Sequence, residues 1–244
     1  MLRITIVTIF PEYFHVPLSL SIPAKAAAAG SVEFRVVDLR AYTHDRHRTV
    51  DDYPYGGGAG MVMKPEPFFE AVEGLDCGSP VVLLSPRGRT FTQGDAMRFA
   101  GGEELTLLCG HYKDVDQRVA DHLATEQLSL GDFVLSGGEP AALAIVDAIA
   151  RLLPGAMSDH ESARTDSFYA GGLSAPSYTR PPVYRGFEVP GVLLSGDHAR
   201  IARWRRDEGL RLTAARDASA AAVGEATGLR DAENPAEQLG DEAD

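Results

Sequence analysis

Side chains that could move a proton are spread along the middle of the sequence. A positioned carboxylate can take a proton from a bound substrate, and an arginine can stabilise the negative charge that the substrate then carries. The candidates are Asp114, Asp116, Asp132, Glu139, Asp166 and Arg151. Taken singly, each is more often a surface or capping residue than a catalyst. Asp166 lies in a polar stretch without periodicity, where loop closure could carry a group onto a substrate.

Three short loops rich in small residues could hold a ligand. They are Ser85–Gly88, Gly110–Tyr112 and Ser136–Gly138, and each follows a predicted strand. In an open parallel sheet, ligands bind beyond the carboxyl ends of the strands, so the three loops could cradle one cofactor through backbone groups. The alternative is three ordinary turns. None matches the dinucleotide fingerprint or the phosphate loop, which disfavours a nicotinamide or ATP site.

Other kinds of site find little support in the sequence. It contains no H-E-x-x-H or G-x-S-x-G motif and no Cys/His spacing typical of a metal site. Of the two cysteines, Cys109 lies in an apolar strand and is interpreted as a core residue rather than a nucleophile. Cys77 and Cys109 cannot form a disulfide framework, so a reducing cytoplasm is expected. No apolar run approaches the roughly 18 residues of a membrane span.

The elements that would position these residues alternate between strands and helices. Strands are predicted at Leu2–Ile9, Val32–Val37, Val81–Leu84, Leu105–Cys109 and, with a break at Gly131, Leu128–Leu135. Helices are predicted at Pro23–Ala29, Thr92–Ala100, Val115–Leu123 and Glu139–Leu153. Tyr55–Gly60 is predicted to be a loop because its four glycines disfavour a regular element. The alternation predicts an α/β domain with a largely parallel sheet over residues 1–156.

The character of the chain changes after this domain. Residues 157–175 are polar and small and are assigned to a flexible linker or lid. Residues 176–216 are predicted to form a small helical domain, with a helix through about Glu208 on which Ile201 and Trp204 can face inward. Residues 217–244 are rich in alanine, glycine and acid, and they predict a disordered tail.

The formal net charge of -12 argues against a nucleic-acid partner only if the charge is uniform. Residues 217–244 hold eight acidic side chains and one basic one, whereas residues 196–216 hold six arginines and three acids. A second basic stretch lies at residues 35–48. Either basic patch could bind a polyanion, or could be an ordinary solvated surface.

Seven blocks of sequence form an ordered pattern along the chain. They are His44–Asp52, Tyr55–Met61, Leu84–Arg89, Leu128–Glu139, Asp166–Phe168, Tyr178–Pro181 and Leu193–His198. In type and order they resemble the bacterial tRNA (guanine-N1)-methyltransferases, the TrmD family. The resemblance runs from about residue 1 to residue 216.

This resemblance implies a SPOUT methyltransferase, in which a parallel α/β sheet carries a deep trefoil knot near its C-terminal edge, followed by a small, mainly helical C-terminal domain. Family members are obligate homodimers with active sites at the subunit interface. They transfer a methyl group from S-adenosylmethionine to N1 of guanosine 37 in tRNA, next to the anticodon, and require guanosine 36. The modification prevents frameshifting. The implied partners are tRNA and a second copy of the chain, with neither DNA nor a membrane.

The resemblance also implies roles for individual residues. The cofactor would be held by Leu84, Ser85, Pro86, Gly88, Gly110, Tyr112, Leu130, Gly131, Phe133, Leu135, Gly137, Gly138 and Ala141. Asp166, contributed by the partner subunit, matches the general base for guanine N1, and Arg151 matches the arginine that stabilises charge on O6. The residues implied to contact tRNA are His44, Arg46, His198, Arg200, Arg203, Arg205 and Arg206.

Two departures from the family pattern leave points open. Lys113 stands where many members have a glutamate linked to Mg²⁺ dependence. Asp114 or Asp116 could replace it, or the Mg²⁺ requirement could differ, so no metal ligand is assigned. Ala141 occupies the usual position of a proline that here comes one residue earlier, at Pro140.

Two other functions remain as alternatives to this tRNA methyltransferase. They are a knotted methyltransferase acting on another RNA and a non-catalytic protein that binds RNA or senses the cofactor.

Overall fold

The computed structural model describes residues 1–157 and 165–228. The chain divides into two compact units, Met1–Ala163 and Arg164–Asp244. The division falls within the predicted linker of residues 157–175. Residues 158–164 of that linker and residues 229–244 of the predicted tail lie outside the described residues.

The first unit is built on a five-stranded sheet in the order β2-β1-β6-β5-β8. Its strands are β1 (Leu2–Thr8), β2 (Val32–Asp38), β5 (Val81–Thr90), β6 (Glu104–Cys109) and β8 (Glu126–Ser129). Every neighbouring pair in this sheet is parallel, which confirms the predicted α/β class. A smaller sheet in the order β3-β4-β7 consists of β3 (Asp51–Asp52), β4 (Val62–Met63) and β7 (Asp114–Val115).

Helices cover both faces of the large sheet. They are α1 (Glu12–Leu18), α2 (Ser21–Ala28), α3 (Pro65–Gly74), α4 (Gln93–Ala100), α5 (Gln117–His122) and α6 (Glu139–Ala150). Successive side chains of a strand point to opposite faces, so Val82 and Leu84 pack in the core formed with α1, α2, α4 and α6. Val81 and Leu83 pack in the core formed with α3 and α5. A sheet buried on both faces explains why its strands are almost continuously apolar.

Two predicted strand ends are wrong, and both lie at the edge that carries the loops. The strand predicted over Leu128–Leu135 ends at Ser129, whose hydroxyl accepts from the N–H of Gly131 and donates to its carbonyl. Gly131 has a φ of 153°, so the chain turns there. The strand predicted to end at Leu84 runs on to Thr90 after an irregularity, and Leu128 pairs with both Leu84 and Arg89.

Helix predictions also needed correction. The helix predicted over Val115–Leu123 begins two residues later, because β7 pairs with β4 and Asp116 caps α5 by accepting from the N–H of Arg118. The helix predicted to reach Leu153 ends at Ala150. Helices α1 and α3 were not predicted, since both are short and contain proline.

The second unit contains a two-stranded antiparallel hairpin, a 3-10 turn at Gly191–Leu194 and a long helix. The hairpin strands are β9 (Val183–Tyr184) and β10 (Phe187–Glu188), and the helix is α7 (His198–Gly228), with 31 residues. The prediction that this helix ends near Glu208 is wrong, as is disorder over residues 217–228. Alanine, which dominates that stretch, is the best helix former. Like the other described helices, α7 is not both long and apolar enough to cross a membrane.

The described C-terminal part of the predicted linker, residues 165–175, packs against α7. The N–H of Leu173 donates to the Thr213 hydroxyl at 2.8 Å, and the guanidinium carbon of Arg216 lies 4.6 Å from the centre of the Phe168 ring. A side chain at Gly209 would meet the Leu173 carbonyl oxygen at 2.6 Å, so the segment lies directly against the helix backbone. Residues 165–175 therefore belong to the second unit.

A charged cluster fastens the far end of β5 to α4 and β8. The buried Asp95 carboxylate accepts from Arg89 at 2.8 and 2.6 Å, and also from Arg98 and Thr92. Glu126 on β8 accepts from the same two arginines. The hydrogen bonds from Arg89 in particular hold the pKa of Asp95 well below its ordinary value.

Replacing this carboxylate should cost stability in a pH-dependent way. Asp95→Asn is expected to lower the free energy of unfolding at pH 7 by about 2 kcal/mol, since it removes a charged acceptor from two arginines. A lowered native pKa contributes stability that is complete above the ordinary aspartate value of about 3.9 and is lost as the pH falls below it. Urea unfolding at pH 7 and pH 3 should therefore show a smaller difference from wild type at pH 3. Asp121→Asn, at an exposed carboxylate, is the control, and a pH-independent difference for Asp95→Asn would contradict the assignment.

Candidate active site

The three predicted loops surround one cleft in the first unit. The space between them, counted together with the part open to solvent, is about 760 Å³. Of the residues singled out as cofactor contacts, its lining includes Leu84, Ser85, Pro86, Gly110, Tyr112, Leu130, Phe133, Leu135, Gly137, Gly138 and Ala141. Gly88 and Gly131 do not line it.

The sheet explains why these loops meet. Strands β6, β5 and β8 are parallel neighbours, so their carboxyl ends lie at one edge of the sheet. The first loop interrupts β5 and the second follows β6 at Cys109. The third loop fills the whole segment between β8 and α6, residues 130–138. Helix α6 begins where the third loop ends.

Two of the loops touch through their backbones. The N–H of Gly138 donates to the carbonyl of Gly110 at 2.8 Å, and a Cβ on Gly138 would lie 2.8 Å from the Cα of Cys109. A Cβ on Gly110 would lie 2.7 Å from a methyl carbon of Val115. Gly138 is therefore needed for contact between the two loops, and Gly110 for the packing of Val115 against its own loop, in addition to any contact with a ligand.

Gly88 has a structural task as well. A side chain there would run into the backbone of β8, with its Cβ 2.5 Å from the carbonyl carbon of Gln127. The absence of a side chain lets β8 pass directly beside the end of the first loop. This accounts for the glycine without a contact to the cleft.

A buried carboxylate lies where the second and third loops meet. Glu139 is 3% exposed, and its Oε1 accepts from the Thr8 hydroxyl at 2.7 Å. Its Oε2 lies 3.8 Å from Nδ1 of His111, which lines the cleft. Burial, and to a lesser extent the charge of Glu139, raises the pKa of the neighbouring Cys109 thiol well above its ordinary value. Cys109 is therefore an inert core residue, as predicted.

The acidic residues considered as replacements for a metal-binding glutamate are engaged with arginines. Asp114 pairs with Arg87, and Asp116 accepts from Arg118 at 2.8 Å, which lowers the pKa of Asp116. Lys113, at the position of that glutamate, lines the cleft, and its backbone N–H donates to the Met61 carbonyl. Within residues 1–157 and 165–228, no group of three or more His, Cys, Asp or Glu side chains is arranged to hold a metal.

The two predicted catalytic residues belong to different units. Arg151 directly follows α6, and its N–H donates to the Asp147 carbonyl at 3.2 Å. Asp166 lies at the start of the segment that packs on α7, and its carbonyl accepts from the N–H of Tyr169. Asp132, another of the candidate acids, is exposed in the third loop of the cleft.

The predicted tRNA contacts are all exposed side chains. His198, Arg200, Arg203, Arg205 and Arg206 lie on the first turns of α7. In the first unit, Arg46 is exposed, and Nε2 of His44 lies 2.7 Å from a carboxylate oxygen of Glu70 on α3. His44 is thus anchored to that helix.

Sequence reasoning missed several residues of the cleft. His111 lines it, although only its neighbours Gly110 and Tyr112 were selected as cofactor contacts, and Lys113, noted only as a departure from the family pattern, lines it as well. Glu139 was a candidate acid, but its bond to Thr8 joins residues 131 positions apart. A pair so distant leaves no periodic signal, whereas the place of His111 between two selected residues could have been noticed.

The chain matches a known family over most of its length. The family model described as tRNA (Guanine-1)-methyltransferase TrmD covers residues 2–220. The chain belongs to this family. Proteins called tRNA (guanine-N(1)-)-methyltransferase from Dehalococcoides mccartyi and Bacillus licheniformis are each 51% identical to it over 216 residues. The protein of that name from Thermobifida fusca is 53% identical over 226 residues.

These alignments extend over nearly the whole of both partners. They cover 87% of this chain and 87%, 89% and 86% of the Dehalococcoides, Bacillus and Thermobifida proteins. The resemblance seen in the ordered sequence blocks is thus confirmed. The TrmD family match includes the three loops of the cleft, Arg151, Asp166 and the arginines of α7.

The backbone contact between the loops predicts a cost for one added methyl group. Gly138→Ala is expected to lower the free energy of unfolding by about 1–3 kcal/mol, because the new Cβ would press on the Cys109 backbone. Urea unfolding measures this. Gly94→Ala is the matched control, since its Cβ would lie an ordinary 3.6 Å from the Thr92 hydroxyl. Equal stability of Gly138→Ala and wild type would show that the loops do not need this contact.

Proposed function

We propose that the chain transfers a methyl group from S-adenosylmethionine to N1 of guanosine 37 in tRNA, next to the anticodon, and requires guanosine 36. The products are 1-methylguanosine 37 and S-adenosylhomocysteine, and the modification protects against frameshifting. The observation that carries this proposal is the cleft. In a chain of the TrmD family, the three loops implied to hold the cofactor converge on one cleft.

The same region supports a trefoil knot as the fold around the cleft. Leu128 of β8 pairs with β5 on both sides of the first loop, so that loop bulges out while the strand resumes beyond it. Gly88 lies against the β8 backbone, and Gly138 lies against the end of β6. Such close passage of three backbone segments is what a chain threaded through its own loop requires, a rare arrangement in proteins.

The residues of the cleft fit S-adenosylmethionine. Leu84, Leu130 and Leu135 offer apolar surface for the adenine, and the glycine-rich loops offer backbone groups for its polar edge. When bound, S-adenosylmethionine supplies an electrophilic methyl group. The glycines keep side chains out of the space between the second and third loops.

We assign proton removal to Asp166 and charge stabilisation to Arg151. Guanine N1 carries a proton at neutral pH and is a poor nucleophile until that proton leaves. We assign its removal to Asp166, a contribution of roughly 10²–10⁴ in rate. Arg151 stabilises the negative charge that develops on O6. The guanosine must leave its stack in the anticodon loop to reach these groups.

We assign the active enzyme to a homodimer in which Asp166 comes from the partner. The first unit exposes apolar side chains that a second copy could cover. Phe10, Tyr13 and Val16 are 41%, 47% and 63% exposed, and Phe133 and Val134 in the third loop are 55% and 83% exposed. Exposed apolar surface of this kind marks interaction sites.

The second unit supplies the grip on tRNA. Arg200, Arg203, Arg205 and Arg206 are exposed, and among the described residues their side chains have no acidic partner. They are therefore available to phosphates.

The donor set for Mg²⁺ does not fit, because Asp114 and Asp116 already pair with arginines, so no step is assigned to a metal. The free thiols of Cys77 and Cys109 suit a reducing cytoplasm, where we place the reaction.

Removing the proposed base should abolish methyl transfer and spare cofactor binding. With a tRNA transcript carrying G36 and G37, Asp166→Ala is expected to lower kcat by at least about 100-fold. Its Kd for S-adenosylmethionine, measured by calorimetry, should match wild type. Transcripts with adenosine at position 37 or 36 serve as substrate controls. Methylation of the A37 transcript would favour the alternative of another RNA, and full activity of Asp166→Ala would remove the base assignment.

The same variant tests whether the site is shared between subunits. Asp166→Ala and Arg151→Ala should each be inactive alone. Random mixing makes half of the dimers hybrids, each with one intact site, so a shared site predicts recovery of about a quarter of wild-type activity. No recovery in a mixture shown to exchange subunits would mean that both residues act within one chain.

The arginines of α7 should bind tRNA through its phosphates. The double variant Arg203→Ala, Arg206→Ala is expected to weaken tRNA binding about tenfold or more near 100 mM salt and to reduce the salt dependence by one to two counter-ions. Filter binding at several salt concentrations measures both. Arg211→Ala is the matched control, because Arg211 is already paired with Glu208 at 2.8 Å. A loss of affinity with an unchanged salt slope would argue against phosphate contacts.

A further inference from the structure

One buried nitrogen in the cleft wall has no partner in the part of the chain that the structure describes. It is Nδ1 of His111. The nearest carboxylate oxygen is Oε2 of Glu139 at 3.8 Å, about 1 Å too far for a hydrogen bond. Buried polar atoms are normally bonded, so each exception requires an explanation. Here a ring nitrogen and a carboxylate oxygen lie on the two sides of a small gap.

Contacts with neighbouring residues hold the His111 ring and the Glu139 carboxylate on either side of this gap. The other oxygen of Glu139 accepts from Thr8 at 2.7 Å, which leaves Oε2 as the remaining acceptor. The His111 ring packs edge-to-face against Phe10 and Tyr112, with ring centres 5.0 and 5.2 Å away. A side chain at Gly137 would collide with both Nδ1 and Oε2. The glycine therefore leaves open the space in which the bond would form.

The two groups belong to different loops of the cleft. His111 lies in the loop after β6, and its backbone forms a bridge with Gly137 in the loop after β8. Glu139 is the first residue of α6 and directly follows that second loop. Both loops line the cleft and are already joined by the hydrogen bond between Gly138 and Gly110, so a ligand that bonds to their backbones restricts the side chains next to that contact. A movement of about 1 Å would complete the hydrogen bond.

We propose that His111 is a positioning residue that locks the second and third loops in place when the cofactor binds, by donating from Nδ1–H to Oε2 of Glu139. The neutral imidazole suffices, provided that the proton is on Nδ1. This proposal rests on the proposed function, because it concerns the binding of S-adenosylmethionine or its product. His111 touches no reacting atom in it and acts only through the position of the two loops.

Two substitutions of His111 by residues with amide side chains distinguish a hydrogen bond from Nδ1 from simple space filling. The amide nitrogen of asparagine can take the place of Nδ1, whereas that of glutamine reaches further, as Nε2 does. His111→Asn is therefore expected to bind S-adenosylhomocysteine within about threefold of wild type by calorimetry, and His111→Gln about tenfold more weakly. Equal affinities of the two variants, or a weaker His111→Asn, would overturn the proposal. Absence of binding by wild type would instead refute the proposed function.

A measurement on the wild-type protein covers the case in which the variants fold poorly. Nitrogen-15 NMR of labelled histidine reports the protonation of each ring nitrogen and the hydrogen bond at Nδ1. Addition of S-adenosylhomocysteine should produce a slowly exchanging Nδ1 proton on His111, with a J-coupling or shift typical of a bond to a carboxylate. An Nδ1 that stays unprotonated or rapidly exchanging in the saturated complex would overturn the proposal.

Discussion

Three backbone segments meet at one edge of the sheet at separations that leave no room for a Cβ. Gly88 lies against the backbone of β8 and Gly138 against the backbone at the end of β6, while Gly110 lies against a methyl group of Val115. These contacts decide much else in the first unit. They let β8 pair with β5 on both sides of the first loop, and they bring the second and third loops within one hydrogen bond of each other. The cleft is the space left at this edge, so its position follows from these backbone contacts.

The buried carboxylate of Glu139 extends this constraint to the helix behind the loops. An unpaired buried charge would be costly, and here Thr8 at the end of β1 bonds to it. Its place in the first turn of α6 also suits the partial positive charge of a helix N-terminus. The bond fixes the start of α6 against a strand next to the sheet centre. Because α6 has 12 residues and rises about 1.5 Å per residue, that anchor also sets the position of Arg151, about 18 Å further on.

Features set by the local sequence pattern could be predicted, whereas features set by contacts between distant residues could not. Strands such as Leu105–Cys109 could be predicted because a sheet buried on both faces needs continuous apolar runs. Helix α3 was missed because its prolines resemble turn signals, and α7 was cut short because a stretch without large apolar residues was interpreted as disorder. The loops of the cleft could be placed by their glycines, but the pairing of Glu139 with Thr8 could not. The chemistry of the site came from ordered family blocks, since the carboxylates alone allowed many reactions.

The helix α7 also explains how a chain of net charge -12 can present a basic surface. The arginines at positions 200–206 occupy its first turns, and residues 217–228 continue the same helix. At about 1.5 Å per residue, Asp217 lies roughly 16 Å beyond Arg206 along a straight axis, about twice the screening length of about 8 Å at physiological salt. Asp207 and Glu208 are nearer, but Glu208 pairs with Arg211. Four arginines within positions 200–206 therefore outweigh the neighbouring acids, and the first turns of α7 present a locally basic surface to a phosphate.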